Sequence, residues 1–228
     1  MRRPFPPRAR LEGSPAARLE LPTARWTCLG AGRRSDCTLE ESALAGVKKN
    51  AAREGRTIIF LDESGLSERP HRCRTWAPRG KTPILQYHFR WQTLSAIAGV
   101  TWWNFYVQLH RGTIRSPQVV EFLRHLCRHV KGKLLVIWDR LQQHRSRIVK
   151  DFLVTQKGKI EVDYLPAYAP ELNPVEYLWG YWKKHQLANL CAKDLDQLSS
   201  HARAALRRMR PRRSSLIAAF WKQAELPF

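Results

Sequence analysis

The chain has 228 residues, enough for one well-buried domain, and its 43% hydrophobic content excludes a wholly disordered protein. Forty Lys+Arg against 19 Asp+Glu leave a formal charge of +21, a field that calls for a polyanion, with nucleic acid ahead of a membrane surface and a GC-rich coding bias as the compositional alternative. Cys28, Cys37, Cys73, Cys127 and Cys191 form no C-x-x-C pair, and neither a signal-peptide core nor an apolar run of about 18 residues occurs, so the expectation is a reduced, cytoplasmic, nucleoid-associated protein with no membrane partner.

From Met1 to about Asn50, Pro, Arg, Gly, Ala and Ser mix with little periodicity, which predicts a largely disordered basic tail where only Leu39 to Arg53 has a helical pattern. Thr57-Ile58-Ile59-Phe60-Leu61 is then a continuous β-prone run of the kind buried on both faces, and it marks the start of the folded part. Cys73 to Trp76, Ile84 to Phe89, Thr93 to Val100 and Asn104 to Leu109 follow as expected antiparallel strands, broken by Pro78-Arg79-Gly80 and Thr101-Trp102-Trp103.

Ser116-Pro117 opens a helix, with Ser116 as N-cap and Pro117 at the first helical position. Val119, Val120, Leu123 and Leu126 form its apolar face to about Val130. Leu134 to Trp138 is a second fully apolar strand; a helix from about Arg145 to Thr155 and a short strand at Ile160 to Leu165 complete a β-α-β unit, whose strands should be parallel. Helices are expected from Asn173 to about Leu187, Leu195 to Met209 and Ser214 to Ala224. The fold class is α/β, a mixed sheet with antiparallel strands first and parallel ones after.

Asp62 directly follows the first buried run and Asp139 the second, so side-by-side strands would bring both carboxylates to one sheet edge, where open α/β sheets gather ligands. Two carboxylates sharing a site repel unless a cation stands between them, which points to Mg²⁺ or Mn²⁺. Each aspartate taken alone is better read as a turn residue. Glu176, at N3 of a helix capped by Asn173 with Pro174 at N1, is equally well one half of a capping box.

The segment from Tyr164 to Trp179, with Pro166, Pro170-Glu171-Leu172-Asn173-Pro174-Val175-Glu176 at its heart, resembles the signature of the mariner-like bacterial insertion-sequence transposases of the DDE superfamily. Ile58 to Gly65, Val136 to Ser146 and Thr75 to Pro83 resemble further parts of that family in order and spacing, over about Ala51 to Ala188. The resemblance implies an RNase H-like catalytic domain over residues 51–228. It implies Asp62, Asp139 and Glu176 as catalytic and metal-ligating residues for two Mg²⁺ or Mn²⁺ ions, and cleavage and joining of DNA strands as the activity. Double-stranded DNA, both transposon ends and target, would be the partner, with a homodimer and an upstream-frame DNA-binding protein as further candidates. The 36 residues between Asp139 and Glu176 (140 to 175) match the family's spacing. Glu171 is the rival third carboxylate, one position off the motif, and Glu63 at most supports a ligand.

His144 and Arg145, just beyond Asp139, are candidates to touch a phosphate, and Lys183, two turns after Glu176, lies on nearly the same helical face. Arg69, His71, Arg72, Arg74, Arg79, Lys81 and Arg90, with Trp76 and Trp91 interleaved, form a basic stretch suited to a DNA channel; Arg74, Arg79 and Lys81 are its chosen contacts. His125, Cys127 and His129 have helical spacing that suits zinc, but an amphipathic helix flank explains them better. Arg203, Arg207, Arg208, Arg210, Arg212 and Arg213 form a charge run, a solvated face or a further phosphate contact. Residues 1–50 hold no complete pair of the family's helix-turn-helix modules, which predicts a second reading frame, a truncated copy or translation from an unintended start. A catalytically silent DNA-binding remnant and an RNase H-like nuclease are the alternative readings.

Overall fold

The computed structural model describes residues 46–87, 92–166 and 169–226, so the tail expectation over 1–45 lies outside the described residues. A helical segment over 46–53 (α1) is the first described element, and its Ala51 is buried in the core. Five strands follow: β1 (Arg56–Ser67), β2 (Thr93–Val100), β3 (Phe105–Arg111), β4 (Lys133–Trp138) and β5 (Ile160–Tyr164). They form one sheet in the order β3-β2-β1-β4-β5. β1 pairs antiparallel with β2, and β2 with β3, while β4 runs parallel to β1 and β5 parallel to β4. This is the mixed sheet that the sequence predicts.

Side chains alternate across a strand, and the sheet accordingly separates two apolar layers. Ile59, Leu61, Ile97, Val136 and Trp138 face α2 (Ser116–His129) and α3 (Arg147–Thr155). Phe60, Ala96, Ala98, Leu135 and Ile137 face α4 (Pro174–Tyr181), α5 (Leu195–Met209) and α6 (Arg213–Gln223). α2 buries Val119, Val120, Phe122, Leu123 and Leu126, the stripe expected of an amphipathic helix. Gly99 stands where β2 passes under that helix: a Cβ there would lie 2.8 Å from Ile59 Cδ1 and 3.5 Å from Phe122 Cε1.

Several expectations are corrected. Cys73 to Trp76 is not a strand. This stretch is an extended arm whose backbone bonds go to one side chain: Asn189 Oδ1 accepts from Cys73 N at 2.9 Å and Asn189 Nδ2 donates to Cys73 O at 3.0 Å. Residues 84–87 carry no strand either, and Phe89 lies outside the described residues. Ser116 is the first residue of α2 rather than its cap, because its hydroxyl donates to Gln143 O at 3.2 Å while Arg115 occupies the cap position. α3 begins at Arg147, two residues later than expected, since Ser146 Oγ caps it by accepting from Val149 N. The helix from Asn173 does not run unbroken to Leu187, because α4 gives way to a π-helical turn over Trp182–Gln186. Among the described residues no helix is long and apolar enough to cross a membrane.

Candidate active site

Asp62 lies inside β1, not after it. The parallel ladder between β1 and β4 ends at Phe60↔Ile137, but β1 continues to Ser67 because β2 pairs with it from Phe60 onward. Extending the Phe60↔Ile137 register by two residues on each strand brings Asp62 level with Asp139, the residue after β4. Glu176 comes from the first turn of α4, which packs on the same side of the sheet as Phe60. Asp62, Asp139 and Glu176 line one open cavity of about 220 Å³, together with Leu165, Pro166, Ala169, Pro170 and Asn173.

Each carboxylate has a distinct environment. Trp179 Nε1 donates to Asp62 Oδ2 at 2.9 Å. Burial, followed by the charges of Glu176 and Glu63, nevertheless pushes the Asp62 pKa up to about 7. Asp139 sits in the turn after β4, its Oδ1 accepting from Leu141 N at 3.0 Å and lying 2.8 Å from His144 Nδ1. Burial works to raise its pKa, but these hydrogen bonds hold it below the usual value. For Glu176, burial and then Asp139 raise the pKa against the pull of Lys183. The capping-box reading of Glu176 has no support in the bonding at the helix start: Asn173 caps α4 by accepting from Val175 N at 3.1 Å, and the Asn173 N–H donates to Pro170 O at 3.0 Å.

Lys183, expected to reach backbone phosphate, is half-buried. The π-helical turn brings its Nζ 2.7 Å from Ser64 Oγ, where burial lowers its pKa against the raising effect of Glu176 and Asp62. Such turns recur where a side chain must be re-aimed at a functional site.

The phosphate-contact expectation for His144 is corrected, because the residue is 2% exposed. Its ring stacks on Trp138 with centroids 4.3 Å apart and planes at 2°. Nδ1 lies 2.8 Å from Asp139 Oδ1, and Nε2 lies 2.8 Å from Glu63 Oε1. Ionised carboxylates only accept, so between two of them both ring nitrogens would donate, as they do in an imidazolium. Burial opposes that charge, but the hydrogen bonds to Asp139 and Glu63 raise its pKa to about 9.

Arg145, Arg74, Arg79 and Lys81 are exposed, as a phosphate contact requires; Arg90 and Trp91 lie outside the described residues. In the C-terminal run Arg208 is tied to Gln186, and Arg210 lies over the Phe105 ring. The His125 and His129 rings lie 4.1 Å apart and tilted by 36°, with Phe122 stacked on His125 and Tyr106 beside both, a ring cluster on the flank of α2. Cys73, Cys127 and Cys191 are free thiols. Trp179 and Ser64 escape the sequence reading, although Glu176, Trp179 and Lys183 recur at the i, i+3, i+7 interval of one helix face.

Among the described residues, no three His, Cys, Asp or Glu side chains are drawn together tightly enough to form a ready-made cage for a single ion. The donor set nonetheless suits a hard divalent cation. It is all carboxylate oxygen, and the burial of Asp62 together with the repulsion from Glu176 and Glu63 raises its pKa, a cost that such a cation relieves.

The model of the DDE superfamily endonucleases matches residues 57–199, well over half of the chain. The chain belongs to this family. The endonuclease domain thus spans β1 to the first turns of α5, with all three carboxylates inside it. Among curated proteins, the uncharacterized protein y4pE/y4sA of Sinorhizobium fredii (strain NBRC 101917 / NGR234) is 41% identical over 46 residues, 20% of this chain and 34% of that one. Among solved structures, the mariner Mos1 paired-end complex with Mg is 18% identical with a TM-score of 0.61, covering 88% of this chain and 63% of that one. The catalytic domain of Mos1 mariner transposase is 15% identical with a TM-score of 0.50, covering 82% and 94%. The DDE endonuclease domain described here therefore has the RNase H-like fold of a transposase catalytic domain. The chain spans 59% of the Mos1 chain in its strand transfer complex.

Proposed function

We propose that this chain is the catalytic part of a DNA transposase, which cuts a phosphodiester at a transposon end and joins the freed 3′ hydroxyl to target DNA. The observation that carries this reading is the meeting of Asp62, Asp139 and Glu176, from three separate stretches of chain, around one cavity. Membership of the DDE superfamily endonucleases supports it, as does the fold shared with Mos1, which has been solved as a strand transfer complex and with Mg or Mn.

In this reading Asp62, Asp139 and Glu176 hold two Mg²⁺ or Mn²⁺ ions, whose chemistry is activation of the attacking oxygen and stabilisation of the departing one. The chain's own groups prepare the site. Trp179 orients Asp62 through its indole N–H, and Lys183, anchored on Ser64, adds positive charge beside Asp62 and Glu176. Arg145, Arg74, Arg79 and Lys81 bind the DNA backbone from the exposed surface.

The test is a nicking and strand-transfer assay on a duplex carrying the element's end. Product that requires Mg²⁺ or Mn²⁺ and disappears in Asp62→Asn is the expected result. Cutting without joining on any duplex would favour the RNase H-like nuclease, and DNA binding with no cutting would favour the silent remnant.

A further inference from the structure

Asp139 is held differently from its two companions. Asp62 belongs to a strand paired with β2 and Glu176 to a helix, so hydrogen-bonded backbone places both, whereas Asp139 stands in the loop that follows β4. Within that loop Leu141 N donates to Asp139 Oδ1 at 3.0 Å, and a second restraint acts on the same oxygen. That restraint reaches from the far side of the sheet. Glu63 adjoins Asp62 on β1, and strand alternation sends the two side chains to opposite faces. Glu63 lies on the α2 face with Leu61, and its Oε1 meets His144 Nε2 at 2.8 Å. The other ring nitrogen reaches Asp139 Oδ1 at 2.8 Å, and the ring between them lies flat on Trp138, excluded from solvent.

We propose that Glu63 and His144 form a strut that sets the position of Asp139 relative to Asp62, acting as positioning residues for the metal-holding carboxylates and not as contacts to DNA. One strand thus carries a ligand on one face and, on the next residue, the anchor that places its partner ligand. The inference rests on the metal-dependent reading of the site. Removing an outer partner of a metal-ligating group typically weakens metal affinity or activity by about 10–100-fold, far more than a remote surface change would.

The experiment measures Mn²⁺ binding by calorimetry, DNA affinity and nicking kinetics on the full chain. It compares wild type with His144→Phe, which keeps a flat ring on Trp138 but loses both hydrogen bonds, with Glu63→Leu, and with Glu63→Gln, whose amide oxygen still accepts from His144. His144→Phe and Glu63→Leu are expected to lose about 10–100-fold in Mn²⁺ affinity and to lower kcat, with KM for DNA and DNA affinity unchanged. Glu63→Gln should stay closer to wild type than Glu63→Leu. Folded variants that bind Mn²⁺ as tightly as wild type overturn the strut. So does a variant that loses DNA affinity while keeping Mn²⁺ affinity, since that makes His144 a phosphate contact. If His144→Phe fails to fold, the Glu63 pair decides the matter alone. Wild-type protein that binds no Mn²⁺ overturns the reading of the site itself, and is told apart because it fails before any variant is made.

Discussion

The two faces of the sheet are built from the same strands but are used in opposite ways. On the α2 and α3 face, Ile59, Leu61, Ile97, Val136 and Trp138 make an apolar layer into which Glu63 and His144 intrude as a hydrogen-bonded pair. On the α4 to α6 face the apolar layer is interrupted beside Phe60 by Asp62, Glu176 and Lys183. Neither face could do the other's work. A packed face tolerates charge only where it is paired, as Glu63 Oε1 is with His144, whereas a reacting face must leave carboxylate oxygens free to meet a cation. Substitutions on the reacting face should therefore cost activity at little cost in stability, and substitutions of the apolar side chains on the packed face should do the reverse.

The largest effect expected is from Asp139→Asn. On the proposed reading it removes a metal ligand, so cleavage under single-turnover conditions should slow by about a thousandfold or more, equivalent to several kcal/mol of added barrier. DNA affinity should stay equal or rise, because a negative charge near phosphate is removed. Retention of substantial cleavage would make Asp139 a turn residue.

On the packed face, Leu123→Ala empties part of the layer between α2 and the sheet, where Leu123 is fully buried. Chemical denaturation should show a loss of about 2–5 kcal/mol, with DNA affinity intact while the protein remains folded. A cost below about 1 kcal/mol would mean that this face collapses readily around a missing side chain and is not the rigid layer of the comparison.

Trp179→Phe crosses the comparison, because Trp179 is both buried in the α4 layer and bonded to Asp62. Losing one hydrogen bond to a charged group should slow cleavage by about tenfold and leave DNA binding alone. An effect confined to stability would return the indole to a packing role. The smallest effect belongs to neither face: changing Arg74, Arg79 and Lys81 to Ala should flatten the salt dependence of DNA binding, by up to about 0.9 in log-log slope for each phosphate that is no longer neutralised. An unchanged slope would remove the arm from the DNA interface.

What is legible in the sequence follows from burial. The runs at Ile58 to Leu61 and Leu134 to Trp138 are apolar on both faces because both strands are central, and such runs read as strands without further information. The sequence puts Asp62 just past its strand because Asp-Glu-Ser-Gly has turn chemistry, which pairing with β2 overrides. The arm at Cys73 to Trp76 misleads because it alternates like a strand, while its partner is the side chain of Asn189, 116 residues away. His144 is legible as a neighbour of Asp139, but its role depends on Glu63, 81 residues earlier, a link that no local pattern carries.

The central claim is that the three carboxylates act together on divalent metal. Calorimetric titration of Mn²⁺ into wild type, Asp62→Asn, Asp139→Asn and Glu176→Gln measures this without DNA or turnover. The expected result is binding of two ions by the wild type and a loss of stoichiometry or affinity in every variant, with each variant still folded. Wild-type binding that persists unchanged in all three variants would contradict the claim.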